Sequence, residues 1–398
     1  MSDKNNKTLK PGWRRVKFGE VVRLSKARSQ DPLADGIERY VGLEHLEPGD
    51  LRIRNWGNVA DGVTFTSVFQ PGQVLFGKRR AYQRKVAVAD FSGVCSGDIY
   101  VLETKDAKVL LPELLPFICQ TDAFFDHAVG TSAGSLSPRT NWTSLADFEF
   151  VLPSLEAQTQ ILAVLSRYTE LDDEYSSANR CALDLLSSHA HSVFANRNYD
   201  LVPFEKVLTR QPQSGVYKAQ EFLGRGTKIV NMGELFGFDE IVDSIDMKRM
   251  ELTLEEISKY KLTPDDLLFG RRSIVLEGAG KCSMVGGLEE PVIFESSIIR
   301  VTVNTEIVVP QFIFEWLRSP KGTQQITRIR SFTTVAGIAG SDLKRIVVPV
   351  MPIKEQIAIS DELSSMRASV SAIADRQTAN RILRKTILKE TLGGGDVH

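Results

Sequence analysis

Short β-prone runs separated by glycine, aspartate and serine make up the first part of the chain. The β-branched and aromatic side chains that strands favour fall in four runs, residues 74–76, 86–88, 99–102 and 148–152. Residues 112–125 place apolar side chains on one side of a helix, and a proline near their start suits a first helical turn. Residues 130–141, rich in glycine, serine and threonine, are typical of a loop. The pattern predicts a mixed, mainly β domain that ends near Pro153.

The pattern changes at Ser154, where a helical periodicity begins. Apolar and aromatic side chains then follow a four–three spacing for much of the stretch, at Ile161, Leu165, Tyr168, Tyr175, Ala182, Leu186 and Val193, with interruptions at Asp172, Asn179 and His189. A second stretch near the C-terminus has the same spacing, at Ile359, Leu363, Met366, Val370 and Ile373. Such spacing predicts long helices packed lengthwise on other helices. Ser154, with Glu156 and Gln158 behind it, is typical of a capped helix start. Each helix alone could simply cover its own domain, but two of matching length favour a shared coiled-coil spacer.

The two halves of the chain repeat one another. Gln158 ends the segment LPSLEAQ, and Gln356 ends the similar segment VMPIKEQ 198 residues later. Residues 71–80 also match residues 264–272 at a smaller offset. The period far exceeds the roughly 20–50 residues of solenoid repeats and indicates a pair of whole domains.

We therefore predict an α+β protein with two similar mixed α/β domains, each followed by a long helix. The two helices are expected to pack as an antiparallel coiled coil, which gives the chain an approximate twofold symmetry. The predicted parts are a first domain, a first helix, a second domain and a second helix, over residues 1–153, 154–199, 200–351 and 352–398.

Composition narrows the class of protein. The 398 residues are 42% hydrophobic and 25% charged, which is ordinary for a soluble globular protein. No apolar run approaches the roughly 18 residues of a membrane span, and the polar N-terminus lacks the apolar core of a secretion signal. The four cysteines are far apart, which favours reduced thiols in the cytoplasm. A net charge of −1 argues against a general polycation but allows local basic surfaces.

No catalytic motif is complete in this sequence. Residues 278–281 superficially resemble a phosphate-binding loop, but Val275 stands where its first glycine is required and Cys282 where serine or threonine is required. The five histidines form no metal-binding pattern. We expect a chain that is not an enzyme and holds neither a metal nor a cofactor.

Basic residues occupy matched positions in the two repeats, each time between two β-prone runs. The first set is Lys78, Arg79, Arg80, Tyr82, Gln83, Arg84 and Lys85, and the second is Arg271, Arg272 and Lys281. Arginine can bond guanine O6 and N7 together, lysine neutralises phosphate, and tyrosine and glutamine add a stacking ring and an amide. A solvated hairpin without function would explain one such loop. Two loops that are basic at equivalent positions favour DNA binding.

Two further loops have a weaker basis. Arg139 and Asn141 lie in a loop of the first repeat, and Arg328 and Arg330 begin one in the second. Loops that mix basic, hydroxyl and glycine residues often hold phosphate oxygens and fix register rather than sequence. Ordinary turns explain them equally well.

Several segments carry a resemblance to a known family. They are residues 40–46 (YVGLEHL), 75–82 (LFGKRRAY), 95–100 (CSGDIY) and 134–138 (GSLSP), together with the junctions at Gln158 and Gln356. The chain resembles, over nearly its full length, the specificity subunit of a type I restriction–modification system. The second repeat departs further, with IVNM at residues 229–232 where the first has YVGL. In this family the two domains read unrelated half-sites, so such divergence is expected.

The resemblance implies two target recognition domains that read a bipartite double-stranded DNA site across a gap set by the helices. It implies two methyltransferase subunits as partners, with restriction subunits attached indirectly and S-adenosylmethionine held by the methyltransferases. Residues of the helices are predicted to bind these partners, among them Gln158, Ile161, Gln356 and Ile359. Two rival hypotheses stay open, a scaffold that binds only protein and an enzyme with an unfamiliar site.

Overall fold

The computed structural model describes residues 9–195, 199–264, 266–275, 278–332 and 336–393. The chain divides into two compact units, one of Met1–Ser176 with Asp375–His398 and the other of Ser177–Ala374. Each unit combines a β-rich domain with part of both long helices. Among the described residues, no helix is long and apolar enough to cross a membrane.

The first unit contains short strands and short helices ahead of its long helices. Its strands are β1 (Arg14–Lys17), β2 (Val22–Leu24), β3 (Arg39–Val41), β4 (Gly57–Asn58), β5 (Ser67–Phe69), β6 (Val74–Gly77), β7 (Val86–Val88), β8 (Gly93–Cys95), β9 (Ile99–Thr104) and β10 (Glu149–Leu152). Its helices are α1 (Phe18–Val21), α2 (Leu115–Cys119), α3 (Asp122–Gly130), α4 (Trp142–Ala146) and the first part of α5 (Leu155–Ala195). The four predicted strands correspond to β6, β7, β9 and β10, and the loop predicted over residues 130–141 separates α3 from α4.

Three sheets organise this domain, in the strand orders β2-β9-β6-β7, β4-β3-β8-β5 and β1-β10. The main core lies between the first sheet and helices α2 and α3, with Phe18, Phe76 and Phe124 fully buried. The same core includes Leu165 of α5, so the start of the long helix packs directly on the domain.

The single helix predicted over residues 112–125 is wrong, because the chain forms two helices there. Thr121 adopts an extended backbone (φ −64°, ψ 147°), and its side chain accepts a hydrogen bond from the Phe124 backbone N–H. A hydroxyl that caps a new helix competes with continuation of the old one. The break turns α3 toward the loop that carries the predicted basic residues.

The second unit repeats this plan. Its strands are β11 (Asp200–Pro203), β12 (Gln213–Ser214), β13 (Leu223–Val230), β14 (Glu240–Ile241), β15 (Arg249–Met250), β16 (Asp266–Gly270), β17 (Arg272–Ser273), β18 (Cys282–Val285), β19 (Val292–Phe294), β20 (Ile298–Thr302), β21 (Ser331–Phe332), β22 (Ala336–Gly337) and β23 (Val347–Val350). Its helices are α6 (Met232–Gly237), α7 (Leu254–Tyr260), α8 (Pro310–Arg318), α9 (Pro320–Ile329), α10 (Gly340–Leu343), the end of α5 and the first part of α11 (Ile353–Leu392). The sheets run β12-β20-β16-β18-β14, β15-β13-β19, β17-β22-β21 and β11-β23.

The sequence repeat is a repeat of hydrogen bonds as well. The backbone N–H of Phe18 donates to the Phe148 carbonyl at 2.7 Å, and that of Phe204 donates to the Ile346 carbonyl at 2.8 Å. In each domain this bond joins the residue after the entering strand to the residue before the final strand, which leads into a long helix. The two domains are therefore copies of one architecture.

The long helices pack antiparallel within the first unit. Asn380 donates to the Tyr168 carbonyl at 2.9 Å, and Gln377 donates to the Ser176 hydroxyl at 2.7 Å. Higher residue numbers on α5 thus meet lower numbers on α11. Arg381 adds an ion pair to Asp172, with Nε 2.6 Å from Oδ1.

The second unit shows the same arrangement of its own helical segments. His189 Nε2 lies 2.9 Å from a carboxylate oxygen of Glu362. Leu186 on α5 and Leu363 on α11 share one core with the domain. The predicted apolar positions therefore agree with both interpretations of the helices, as covers of their own domains and as a coiled-coil spacer. Each helix contacts the other helix as well as its own domain.

A buried glutamine of helix α5 forms hydrogen bonds with its domain. Gln158 is 1% exposed, and its Oε1 accepts from the Leu111 backbone N–H at 2.9 Å. Its Nε2 donates to the carbonyls of Val109 and Pro153, each at 2.9 Å. The side chain therefore provides hydrogen-bond partners for three backbone groups.

Gln356 makes the same three bonds in the second unit. Its Oε1 accepts from the Val309 N–H at 2.8 Å, and its Nε2 donates to the carbonyls of Ile307 and Met351 at 2.9 and 2.7 Å. We call Gln158 and Gln356 with their bonded backbone groups the glutamine clasps. The repeated sequence segment exists because each domain needs this attachment to its helix.

The predicted role of Gln158, Ile161, Gln356 and Ile359 in partner binding needs correction. All four are at most 9% exposed, and their side chains are enclosed by this chain. A buried side chain cannot contact a partner protein directly. These residues hold the helices on their domains, and a partner would have to bind other residues of the helix surfaces.

Candidate nucleic-acid interface

The basic loop of the first unit joins β6 to β7 in a strained conformation. Arg80 and Arg84 flank a 3₁₀ turn, Ala81–Gln83, and have left-handed φ angles of 53° and 56°. Among the described residues, they alone combine such angles with a side chain. The left-handed region costs a non-glycine residue about 1–2 kcal/mol. Strain of this kind is typical of functional loops that their surroundings hold in place.

A second loop holds the basic loop in place. The backbone N–H of Arg80 donates to the Pro138 carbonyl at 2.7 Å, and that of Thr140 donates to the Lys78 carbonyl at 3.0 Å. Arg79 and Arg139 also form an antiparallel bridge. The structure thus brings together two loops that the sequence analysis treated as separate candidates. We call Lys78, Arg79, Arg80 and Arg139 the first basic cluster.

Asp98 lies at the centre of the first basic cluster. Its carboxylate accepts from Arg79 Nη1 at 3.2 Å and from Arg139 Nε and Nη2 at 2.7 and 3.4 Å. Arg79 Nη2 and Arg80 Nη2 both donate to the Ser137 hydroxyl, at 3.0 and 3.3 Å. Two arginines therefore pair with one carboxylate, and Arg80 joins them through Ser137, which leaves a positive surface whose guanidinium groups are oriented.

The ionisation of the cluster follows from these contacts. The hydrogen bond from Arg139, with a further one from Arg79, holds the pKa of the Asp98 carboxyl below its ordinary value, although burial opposes this. Burial lowers the pKa of Lys78, which Asp98 only partly offsets. Lys78 Nζ lies 4.6 Å from the ring centroid of Tyr100, whose face attracts a cation. An ammonium that has already lost water has less hydration to lose when a phosphate approaches.

The other predicted residues of this loop have different positions. Tyr82 is 56% exposed at the tip, and Gln83 beside it is partly buried. Arg84 pairs with Asp122 at 2.6 Å, and Lys85 Nζ donates to the Leu43 carbonyl at 2.7 Å. Arg84 and Lys85 thus brace the loop against the domain, whereas Tyr82 faces solvent.

Asn141 caps a helix in the structure. Its Oδ1 accepts from the Ser144 backbone N–H at 2.7 Å, at the start of α4. An exposed cap residue beside Arg139 can still approach DNA, but its amide oxygen already has a structural partner.

The second unit reproduces most backbone contacts of this surface. Gly77 donates to the Lys85 carbonyl and Gly270 to the Lys281 carbonyl, at 3.0 and 2.9 Å. Three further backbone contacts match between the two units. They place Arg271 at the position of Lys78 and Arg272 at the position of Arg79. They also place Ser297 at the position of Asp98 and Gly337 at the position of Arg139. The prediction that the two basic loops are equivalent is therefore correct in geometry.

The side chains on this second surface differ from those on the first. Ser297 and Gly337 replace the acidic and basic members of the Asp98–Arg139 pair. Arg272 is exposed, and no ion pair of Arg271 or Arg272 with another described residue is present. Ile274, two residues beyond Arg272, is 90% exposed. The second surface thus has cationic side chains without the carboxylate that orients those of the first.

The remaining candidates of the second unit fall in several environments. Lys281 donates to the Phe236 carbonyl, and burial lowers its pKa. Arg330 Nε donates to the Ala279 carbonyl at 2.7 Å. Arg328 is exposed but belongs to α9, so the prediction that it begins a loop is wrong. Residues 333–335 of that predicted loop lie outside the described part of the chain.

The sequence analysis missed Asp98 and Ser137 as site residues. Both lie in segments that carry the family resemblance, yet an acidic residue and a serine do not suggest DNA contact by residue type. They are separated by 39 positions in the sequence, and only folding brings both of them to Arg79.

Comparison with known proteins gives consistent matches. The family of type I restriction modification DNA specificity domains matches residues 13–177. The chain is 27% identical over 204 residues to the type I restriction enzyme EcoKI specificity subunit of Escherichia coli K12, over 51% of this chain and 42% of the relative. The match thus spans about two fifths of that relative's length.

Two further matches extend over most of the chain. The type I restriction enzyme MjaVIII specificity subunit of Methanocaldococcus jannaschii is 21% identical over 381 residues, which cover 89% of this chain and 86% of the relative. The fold is similar, with a TM-score of 0.60 at 18% identity, to a chain solved in a study of complex assembly and conformational transition of the type I R-M system, over 98% of this chain and 100% of that chain. The chain therefore resembles type I restriction–modification specificity subunits, through a family match to its first repeat and through similarity in sequence and fold over most of its length.

Proposed function

We propose that this chain recognises DNA for a type I restriction–modification complex. Each unit reads one half of a bipartite double-stranded site, and the paired helices set the gap between the halves. The observation that carries the proposal is the recurrence of one backbone framework with basic residues at two of its positions, Lys78 and Arg79 in the first unit and Arg271 and Arg272 in the second, and different side chains around them. A repeated framework with different contact residues is what two unrelated half-sites require.

The same proposal assigns chemistry to other chains. We propose that two methyltransferase subunits bind the outer faces of the helices, bring S-adenosylmethionine with them and connect restriction subunits to the complex. This chain would then supply binding without catalysis, in agreement with the incomplete catalytic motifs of its sequence. DNA as a ligand, together with four cysteines that are all free thiols in the structure, supports a cytoplasmic location.

Salt dependence of DNA binding tests the proposal against a scaffold that binds only protein. Phosphate neutralisation releases counterions, so the logarithm of the affinity should fall linearly with the logarithm of salt concentration. Methylation mapping of the host genome with and without the chain would then give the recognised site. A chain that binds methyltransferases but shows no salt-dependent DNA affinity would be the scaffold instead.

Lengthening both helices should widen the recognised gap. Seven residues inserted after Ser176 and seven after Ala374 add two turns, about 11 Å, to each helix. Because ten base pairs span about 34 Å, we expect methylated sites whose gap is about three base pairs longer. A matched control inserts seven residues into only one helix, which should disturb pairing rather than produce a new, wider gap. An unchanged gap in the double insertion would contradict the spacer role.

A further inference from the structure

Asp98 controls which part of the Arg139 guanidinium can meet a ligand. Arg139 uses Nε and one hydrogen of Nη2 on this carboxylate, at 2.7 and 3.4 Å. A guanidinium has five N–H donors in a fixed plane, so both hydrogens of Nη1 and one of Nη2 remain. Those donors lie on the edge that points away from Asp98. The Arg139 side chain is 50% exposed, whereas that of Asp98 is 19% exposed, so this edge faces solvent.

Arg79 has fewer donors left for a ligand. Its Nη1 donates to Asp98 at 3.2 Å and its Nη2 to Ser137 at 3.0 Å, while its Nε is buried without a hydrogen-bond partner. Its side chain is 37% exposed, less than that of Arg139. Arg79 therefore helps Asp98 to hold the cluster in place, and Arg139 has more donors free to bond a DNA base.

We propose that Asp98 is a positioning residue that presents the Nη1–Nη2 edge of Arg139 to one guanine in the half-site read by the first unit. The inference rests on the proposed function and specifies the base and the reading residue. Paired donors on an arginine match the O6 and N7 acceptors of guanine in the major groove. An oriented arginine also loses less side-chain entropy when it binds. The Asp98 carboxylate lowers the net positive charge beside Arg139, which weakens the attraction of this arginine for phosphate relative to its hydrogen bonds with a base edge.

The second unit provides the contrast within the same chain. Ser297 and Gly337 stand at the positions of Asp98 and Arg139, so this carboxylate–arginine pair is absent there. A guanine contact held in this way should therefore occur in one half-site only.

Replacement of guanine by 7-deazaguanine tests the proposal atom by atom. The probe is a duplex with the mapped site in which one guanine at a time lacks its N7 acceptor, bound by the full-length chain in its complex. We expect one guanine of one half-site whose replacement weakens binding roughly 10-fold, within the range measured for a bidentate arginine contact. The Asp98→Asn variant should bind the unmodified duplex roughly 10-fold more weakly than the wild type does. It should bind the 7-deaza duplex as tightly as it binds the unmodified one.

Further variants separate the effect of the Asp98 charge from the effect of the position of its carboxylate. Asp98→Asn removes a negative charge, so non-specific DNA should bind at least as tightly as it does to the wild type, with a steeper salt dependence. Asp98→Glu keeps the charge but moves the carboxylate, so it should lose the 7-deaza effect with an unchanged salt slope. The matched control is Glu103→Gln, because Glu103 pairs with Arg23 at 2.7 Å in the same domain, away from the cluster. It should behave like the wild type.

Several outcomes would overturn the inference while leaving the proposed function intact. One is full 7-deaza sensitivity in Asp98→Asn, and another is a recognised site in which no guanine N7 matters. A third is an equal loss of specific and non-specific binding with a lower melting temperature, which would mean a purely structural role. Failure of the wild-type complex to bind DNA at all would instead contradict the proposed function itself.

Discussion

The double variant Arg79→Ala, Arg80→Ala should lose one half of the recognised site and keep the other. Both guanidinium groups donate to the Ser137 hydroxyl, and Arg79 also pairs with Asp98. The variant therefore removes two positive charges and the contacts that hold the first basic cluster in place. Loss of a bidentate arginine–base contact that depends on this support costs about 1–3 kcal/mol, and the two lost charges further weaken the attraction for phosphate, which together predict a loss of roughly 100-fold or more in specific affinity. The second unit has its own framework, so its half-site should still be read. Binding to duplexes with one half-site scrambled at a time measures both effects.

Assembly provides the control for this variant. The proposed complex with methyltransferase subunits should form as before, because Arg79 and Arg80 lie on the loop between β6 and β7 rather than on the long helices. Arg23→Ala removes a positive charge from β2 of the same domain and should leave both half-sites intact. Loss of assembly or of folding in the double variant would show that the loop is structural.

Gln158→Leu should destabilise the chain strongly without touching the DNA-facing loops. The substitution keeps an apolar volume but leaves one N–H and two carbonyls of the clasp buried without partners. An unsatisfied buried group costs about 1–3 kcal/mol, so we expect a loss of roughly 3 kcal/mol or more in the free energy of unfolding. Chemical denaturation measures this loss. Gln356→Leu should have a similar cost, because its three bonds are the same.

A matched substitution lies two residues away. Gln160 is exposed on the same helix, so Gln160→Leu makes an identical chemical change without breaking the clasp, and stability should change by less than about 0.5 kcal/mol. If Gln158→Leu instead weakened methyltransferase binding at unchanged stability, the original assignment of this residue to a partner surface would be restored.

The apolar periodicity and the sequence repeat predicted the architecture because both depend on residues that are close together in the sequence. The heptad spacing marks the buried face of a helix wherever that helix packs, and Ser154 caps α5 as its position predicts, with its hydroxyl accepting from the Ala157 N–H at 3.3 Å. Repeated segments predict repeated domains because similar sequences fold alike. The break at Thr121 escaped prediction because its apolar neighbours continue a helical pattern across the cap.

The sequence by itself determined two copies of one domain, a long helix after each and a basic loop at the same place in both. Only the tertiary structure decided what individual side chains do. Gln158 and Gln356 have residue types that suit a surface, but folding encloses them against backbone groups that need partners. Asp98 and Arg139 lie 41 positions apart, and their contact depends on how two loops meet. Pairing between distant residues is fixed by packing in three dimensions, which no local pattern encodes.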